Sequence, residues 1–97
     1  MDPSLADRIA RREAALAEVR LLLIEKLRIR REPEEIDPDT PLFGSGLGLD
    51  SIDAVDLVIL LKNDLGVEVP DDESGRASLR TVNSLVDLLL TVRQETR

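Results

Sequence analysis

Histidine and cysteine are absent from these 97 residues, and with them go the usual general base, the thiol nucleophile, the common zinc ligands and any disulfide framework. Few enzyme mechanisms survive such a composition, so a non-catalytic protein is expected. Tryptophan and tyrosine are also absent, and phenylalanine occurs once. The core must therefore be packed from Leu, Val, Ile and Ala, a composition that favours helices over an aromatic-rich sheet. No apolar run approaches the roughly 20 residues that span a bilayer. Met1-Asp2-Pro3 lacks the basic start and apolar stretch of a signal peptide. These absences predict a cytoplasmic chain without stable membrane insertion. Its length suits one monomeric all-α domain over residues 1–97 and is too short for two independent cores.

Acids dominate what is present. The formal net charge is −7, unevenly spread: residues 1–31 hold eight Lys/Arg against five Asp/Glu, and residues 32–97 hold five against fifteen, a split of +3 and −10. Such a field repels nucleic acid and steers encounters with basic protein surfaces.

Asp2 before Pro3 reads as an N-cap followed by proline at the first helical position, and neither proline nor glycine recurs until Pro33, which predicts one long helix. Leu5, Ile9, Leu16, Val19, Leu23 and Leu27 form its apolar stripe, with Arg8, Arg11, Arg12 and Arg20 outside. Pro33, Pro38 and Pro41 then impose a long loop up to Gly48, ordered by the apolar anchors Ile36, Leu42, Phe43, Leu47 and Leu49, with Phe43 as a core plug. A second helix is predicted from Ser51 to Leu65, stopping at Gly66. Beyond it lie a short helix near residues 71–77 and a final one capped by Thr81, whose buried face is Val82, Leu85, Val86 and Leu89; residues from Gln94 to Arg97 are expected to fray. Asp71, Asp72 and Glu73 lack the alternating ligands and central glycine of an EF-hand, so no metal site is expected beyond weak cation screening. Three long helices and a short one, wrapped by an ordered loop, predict a four-helix bundle.

At about 100° per residue, Ala54, Leu57, Val58, Leu61 and Leu65 of the second helix face the core. Asp53, Asp56, Asn63 and Asp64 make a polar stripe nearly opposite, with Leu60 in its middle, while Ile52, Val55 and Ile59 lie on a flank beside the helix start. Apolar anchors within a charged rim are the pattern of a partner-binding surface. Asp53, Asp56, Leu60, Asp64, Ile52, Val55 and Ile59 are therefore candidate partner contacts, although packing under the long loop is the competing account of the last three.

The stretch Gly44-Ser45-Gly46-Leu47-Gly48-Leu49-Asp50-Ser51-Ile52-Asp53 delivers one serine to the start of that helix. The Ser51 hydroxyl is expected near free backbone N–H groups and the positive end of the helix dipole, a favourable place for a phosphate. A catalytic serine would need a base, and Lys62 is three turns away. No lysine follows the glycine-rich loop and no strand precedes it, which argues against a nucleotide site.

Leu42-Phe43, the run Leu47 to Asp53, and Val67-Glu68-Val69-Pro70-Asp71 together resemble the acyl carrier protein family, a resemblance extending from about Val19 to Val92. It implies the four-helix carrier fold and attachment of 4'-phosphopantetheine, drawn from coenzyme A by a phosphopantetheinyl transferase, at Ser51 of the triplet Asp50-Ser51-Ile52. Asp50 would position the transferase or order the loop. Acyl-loading, condensing and acyl-transfer enzymes with basic docking surfaces would be the partners, and the acyl chain would fold back between the helices against Ile52, Val55, Ile59 and neighbouring Leu or Val residues. Isoleucine stands at Ile52 where leucine is commoner, an exchange that keeps the apolar volume. Lys62-Asn63 replace acids usual in fatty-acid carriers, which points to a dedicated pathway of fatty-acyl or polyketide-like biosynthesis. The early start of the first helix has no counterpart in the resemblance. An aminoacyl or peptidyl carrier and an unmodified helical adaptor are the alternatives.

Overall fold

Proline and glycine set the helix boundaries in the computed structural model, which describes residues 3–95. Helix α1 spans Pro3–Lys26, α2 Ser51–Leu65, α3 Glu73–Ser78 and α4 Val82–Glu95, and a 3-10 turn at Pro33–Glu35 interrupts the loop between α1 and α2. The expected cap Asp2 lies outside the described residues. Gly66 ends α2 at φ 68°, a left-handed conformation that costs glycine nothing, and its N–H reaches the Leu61 carbonyl. Asp72 caps α3 through the N–H groups of Ser74 and Gly75. Thr81 and Ser84 cap α4 reciprocally: the Ser84 N–H donates to Thr81 Oγ1 at 3.1 Å and the Thr81 N–H to Ser84 Oγ at 3.0 Å. Gln94 and Glu95 remain helical where fraying is expected; Thr96 and Arg97 lie outside the described residues.

One cluster of apolar side chains joins these elements. Ala15, Val19, Leu22 and Leu23 of α1 meet Leu57 and Leu61 of α2 and Val82, Leu85, Val86 and Leu89 of α4; Ile36, Leu42, Leu49 and Val67 enter from the connections. Two cross-links rise in step along α1 and α4. Arg12 bonds Asp87 at 2.6 Å and also Asn83, and Arg93 holds Glu18 bidentately at 2.6 and 2.9 Å, so the two helices run in the same direction. Because Arg12 is already level with the start of α4, the first turns of α1 project past it. Leu5 and Ile9 are consequently 42% and 46% exposed, and the predicted buried stripe begins only at Leu16. Arg12 and Arg20, placed outside by sequence spacing, are partly buried and bonded.

The long loop is ordered as expected, by backbone as well as apolar anchors. Arg20 Nε and Nη2 donate to the Ile36 carbonyl at 3.0 and 2.8 Å. Farther on, the Asn83 N–H donates to Pro38 O at 2.7 Å, the Val82 N–H to Thr40 O at 3.2 Å, and the Leu42 N–H to Arg80 O at 3.0 Å. Ile36, Leu42 and Leu49 are buried; Phe43 and Leu47 are half-buried against the core, so Phe43 closes its edge instead of plugging its centre. The chain doubles back sharply at Gly46, where a Cβ would collide with the Pro41 carbonyl.

Candidate functional site

Leu49 donates its N–H to the Leu42 carbonyl at 3.2 Å, and this bond ties the loop down immediately before α2. Asp50 follows as the cap. Its Oδ1 accepts from the Ile52 and Asp53 N–H groups, both at 3.0 Å, while Asp53 Oδ2 accepts from the Asp50 N–H at 3.0 Å. The Asp53 N–H above all, joined by that of Ile52, holds the Asp50 carboxyl below its usual range. Between these two acids Ser51 occupies the first helical position, exposed.

The site differs from the sequence expectation in one respect. The N–H groups of Ile52 and Asp53 are not free for a phosphate, because Asp50 already uses them. With two carboxylates beside it, the Ser51 hydroxyl lies in an anionic setting that disfavours a phosphate held by charge alone. An exposed primary hydroxyl on a rigid helix start nonetheless fits a covalent phosphodiester, which needs an accessible oxygen and no binding pocket. Ser74, Ser78 and Ser84 are different, since each spends its hydroxyl on a cap or a helix carbonyl; Ser45 is exposed on the loop.

Burial re-orders the faces of α2. Leu57 and Leu61 are fully buried, and the three large apolar side chains farthest from them around the helix are Ile52, Val55 and Ile59, exposed by 71%, 60% and 51%. The structure rules out packing under the loop for these three, and equally the inward acyl-chain contact expected of them. Leu60, expected exposed amid acids, is half-buried and packs on the core; Asp53 is half-buried as well, whereas Asp56 and Asp64 are exposed. The apolar face, not the acidic one, is opposite the core. Lys62 turns to Glu68 at 3.2 Å. A groove of about 230 Å³ between α2 and α3 is lined by the apolar Val58, Val69, Pro70 and Leu79, with Gly75, and by the charged Asp71, Asp72 and Arg76. Sequence reasoning placed neighbouring Leu or Val residues beside the acyl chain without naming Val58 or Val69, because spacing does not show which of them line a groove.

A small helical carrier is the class that this fold and helix start define, and the comparisons agree. The family described as "phosphopantetheine attachment site" matches residues 17–89. The acyl carrier protein of Thermosynechococcus vestitus is 32% identical over 74 residues, covering 76% of this chain and 85% of the relative. The chain belongs to the acyl carrier protein family; it is a non-catalytic carrier whose cofactor is 4'-phosphopantetheine. Residues 3–16, which include the projecting turns of α1, precede the matched segment. No helix of the described residues is long and apolar enough to cross a membrane.

Proposed function

We propose that the protein is a cytoplasmic, monomeric acyl carrier, one domain over its length, that holds acyl intermediates of a specialised fatty-acyl or polyketide-like pathway on an arm attached to Ser51. The observation that carries the assignment is the exposed Ser51 hydroxyl at the first position of α2, locked in place by the Asp50 and Asp53 cap. Asp50 serves this site by fixing the helix start. In the modification, Ser51 Oγ bonds to the β-phosphorus of coenzyme A, the pyrophosphate P–O bond breaks, adenosine 3',5'-bisphosphate leaves, and the hydroxyl proton passes to the transferase. The thiol of the attached arm supplies thioester chemistry, while the protein supplies presentation and delivery at high local concentration. An acyl chain is better accommodated along Val58, Val69 and Leu79, the apolar side of a groove that Asp71, Asp72 and Arg76 also line, than by the outward Ile52, Val55 and Ile59. Partner contacts fall on α2 among Ile52, Asp53, Val55, Asp56, Ile59, Leu60 and Asp64.

Intact mass after incubation with coenzyme A, Mg²⁺ and a broad-specificity phosphopantetheinyl transferase tests the assignment. Wild type and Ser45→Ala should each gain one phosphopantetheine, and Ser51→Ala none. A mass gain that persists in Ser51→Ala and disappears in Ser45→Ala would move the arm to the loop. The species carried by protein isolated from its native host then separates acyl from aminoacyl or peptidyl cargo.

A further inference from the structure

Leu5, Ile9, Arg12, Leu16, Val19 and Leu23 follow one another at alternating steps of four and three residues, the a and d spacing of a seam that another helix covers. The bundle covers the later part: Val19 and Leu23 are buried, Leu16 packs on the core, and Arg12 bonds Asp87 and Asn83 of α4. Before Arg12 the seam runs on through Ile9 to Leu5, past the start of α4, and both side chains are nearly half exposed. A groove of about 230 Å³ opens where α4 begins, lined by Ile9, Leu16, Pro38 and Val86, with Asn83 and the charged Arg12 and Glu13 completing it. Such a groove at the end of a half-covered seam is a hole for the first side chain of a continuing helix.

The uncovered seam is at the same end of the bundle as Ser51. The Leu49 N–H donates to the Leu42 carbonyl, the Leu42 N–H to Arg80 O, and the Val82 N–H to Thr40 O, so α2 and α4 start side by side, and α1 passes that level at Arg12. From Arg12 to Pro3 the helix extends about 14 Å farther. An enzyme that takes the arm at this end meets the projecting turns. Their edges state its chemistry: at 100° per residue Arg8 borders the seam about 60° from Leu5, and Ala6 about 60° from Ile9 on the other side. Arg11 is paired with Asp7 and Arg12 with Asp87, whereas Arg8 is exposed and has no ion-pair partner among the described residues. About three turns of helix cannot bury the roughly 800 Å² a side of a stable complex, which disfavours a second copy and requires an occupant held elsewhere as well, as an enzyme holding the arm is. Resting on the carrier reading, we infer that an acyl-accepting enzyme of this carrier's pathway lays an amphipathic helix along Leu5 and Ile9, with an apolar side chain in the groove at Pro38 and Val86 and a carboxylate against Arg8. These turns precede the segment matched by the family, so the contact distinguishes this carrier from others.

Acyl transfer from the loaded carrier to each purified condensing enzyme and acyltransferase of the native host tests this, for wild type, the double variant Leu5→Ala with Ile9→Ala, and Arg8→Glu. Alanine keeps the helix propensity of α1, and circular dichroism with urea midpoints checks that all three fold alike. With at least one of these enzymes the double variant should lose about tenfold or more in kcat/KM, as loss of central apolar contacts does. Arg8→Glu should lose about threefold or more there, a loss that shrinks as salt rises from about 50 to about 500 mM. Uptake of phosphopantetheine from coenzyme A by a broad-specificity transferase should change by less than about twofold in both, because Ser51 and its cap are untouched and the lost contacts belong to another enzyme. Variant rates equal to wild type with every one of those enzymes, or no transfer from loaded wild type to any of them, would overturn the inference. Sedimentation showing a dimer that the double variant dissolves would give the seam to a second copy, and vesicles of anionic lipid that bind wild type but not the double variant would give it to a membrane; either overturns it equally. A wild-type chain that takes up no phosphopantetheine would refute the carrier reading itself.

Discussion

Truncation along α2 distinguishes its faces by stability alone. Leu57 is fully buried against α1 and α4, and Leu57→Ala removes most of a side chain from a site with no solvent path. Such substitutions cost about 2–5 kcal/mol through lost transfer free energy and the residual cavity. A domain of this size has a total stability of about 5–15 kcal/mol, so the loss is a large fraction of the whole. With a urea dependence of about 1–3 kcal/mol per molar, the midpoint should fall by at least about 0.7 M. Ile59, half of whose surface already meets water, should lose no more than about 0.5 kcal/mol on truncation to alanine. Leu60, half-buried on the core, should fall between them. Far-ultraviolet circular dichroism is the assay, since the chain has neither tryptophan nor tyrosine to report by fluorescence. An Ile59→Ala midpoint lowered as far as that of Leu57→Ala would show that the stripe is packed, and the assignment of the faces would fail. Equal losses at Leu57 and Leu60 would place Leu60 fully in the core.

Two further outcomes follow from named contacts. Arg20→Met, which keeps the aliphatic stem but removes both donors to the Ile36 carbonyl, should cost about 1–3 kcal/mol and speed amide exchange through the 3-10 turn; unchanged exchange there would mean that the apolar anchors alone order the loop. Glu18, Asp50 and Asp72 all have carboxyl groups held below their ordinary values of 4.5, 3.8 and 3.8, by the Arg93 guanidinium, the Asp53 N–H and the Ser74 hydroxyl respectively. Their stabilisation is complete above those ordinary values and is lost as pH falls below them through the folded ones. With no histidine in the chain, the urea midpoint should be flat from about pH 5 to 7 and decline below about pH 4.5; a decline beginning near pH 6 would contradict this.

Local signals in the sequence determined the helix starts and stops. Asp50-Ser51 and Gly66 bound α2 at the predicted residues, and Thr81 caps α4, because a cap depends on backbone conformation and side chains only a few positions apart. The serine at the start of α2 was legible for the same reason. What periodicity could not determine was the direction of each face: nine apolar residues are spread around α2, and spacing alone does not say which of them meets the rest of the chain. Contact with α1, α4 and the returning loop buried Leu57 and Leu61, drew Leu60 inward and left Ile52, Val55 and Ile59 outside. The same holds for α1, whose apolar stripe reads as uniform from Leu5 to Leu27. Only the position of α4, fixed by Arg12 with Asp87 and by Glu18 with Arg93 across 75 residues of chain, decides that Leu5 and Ile9 are left only partly covered.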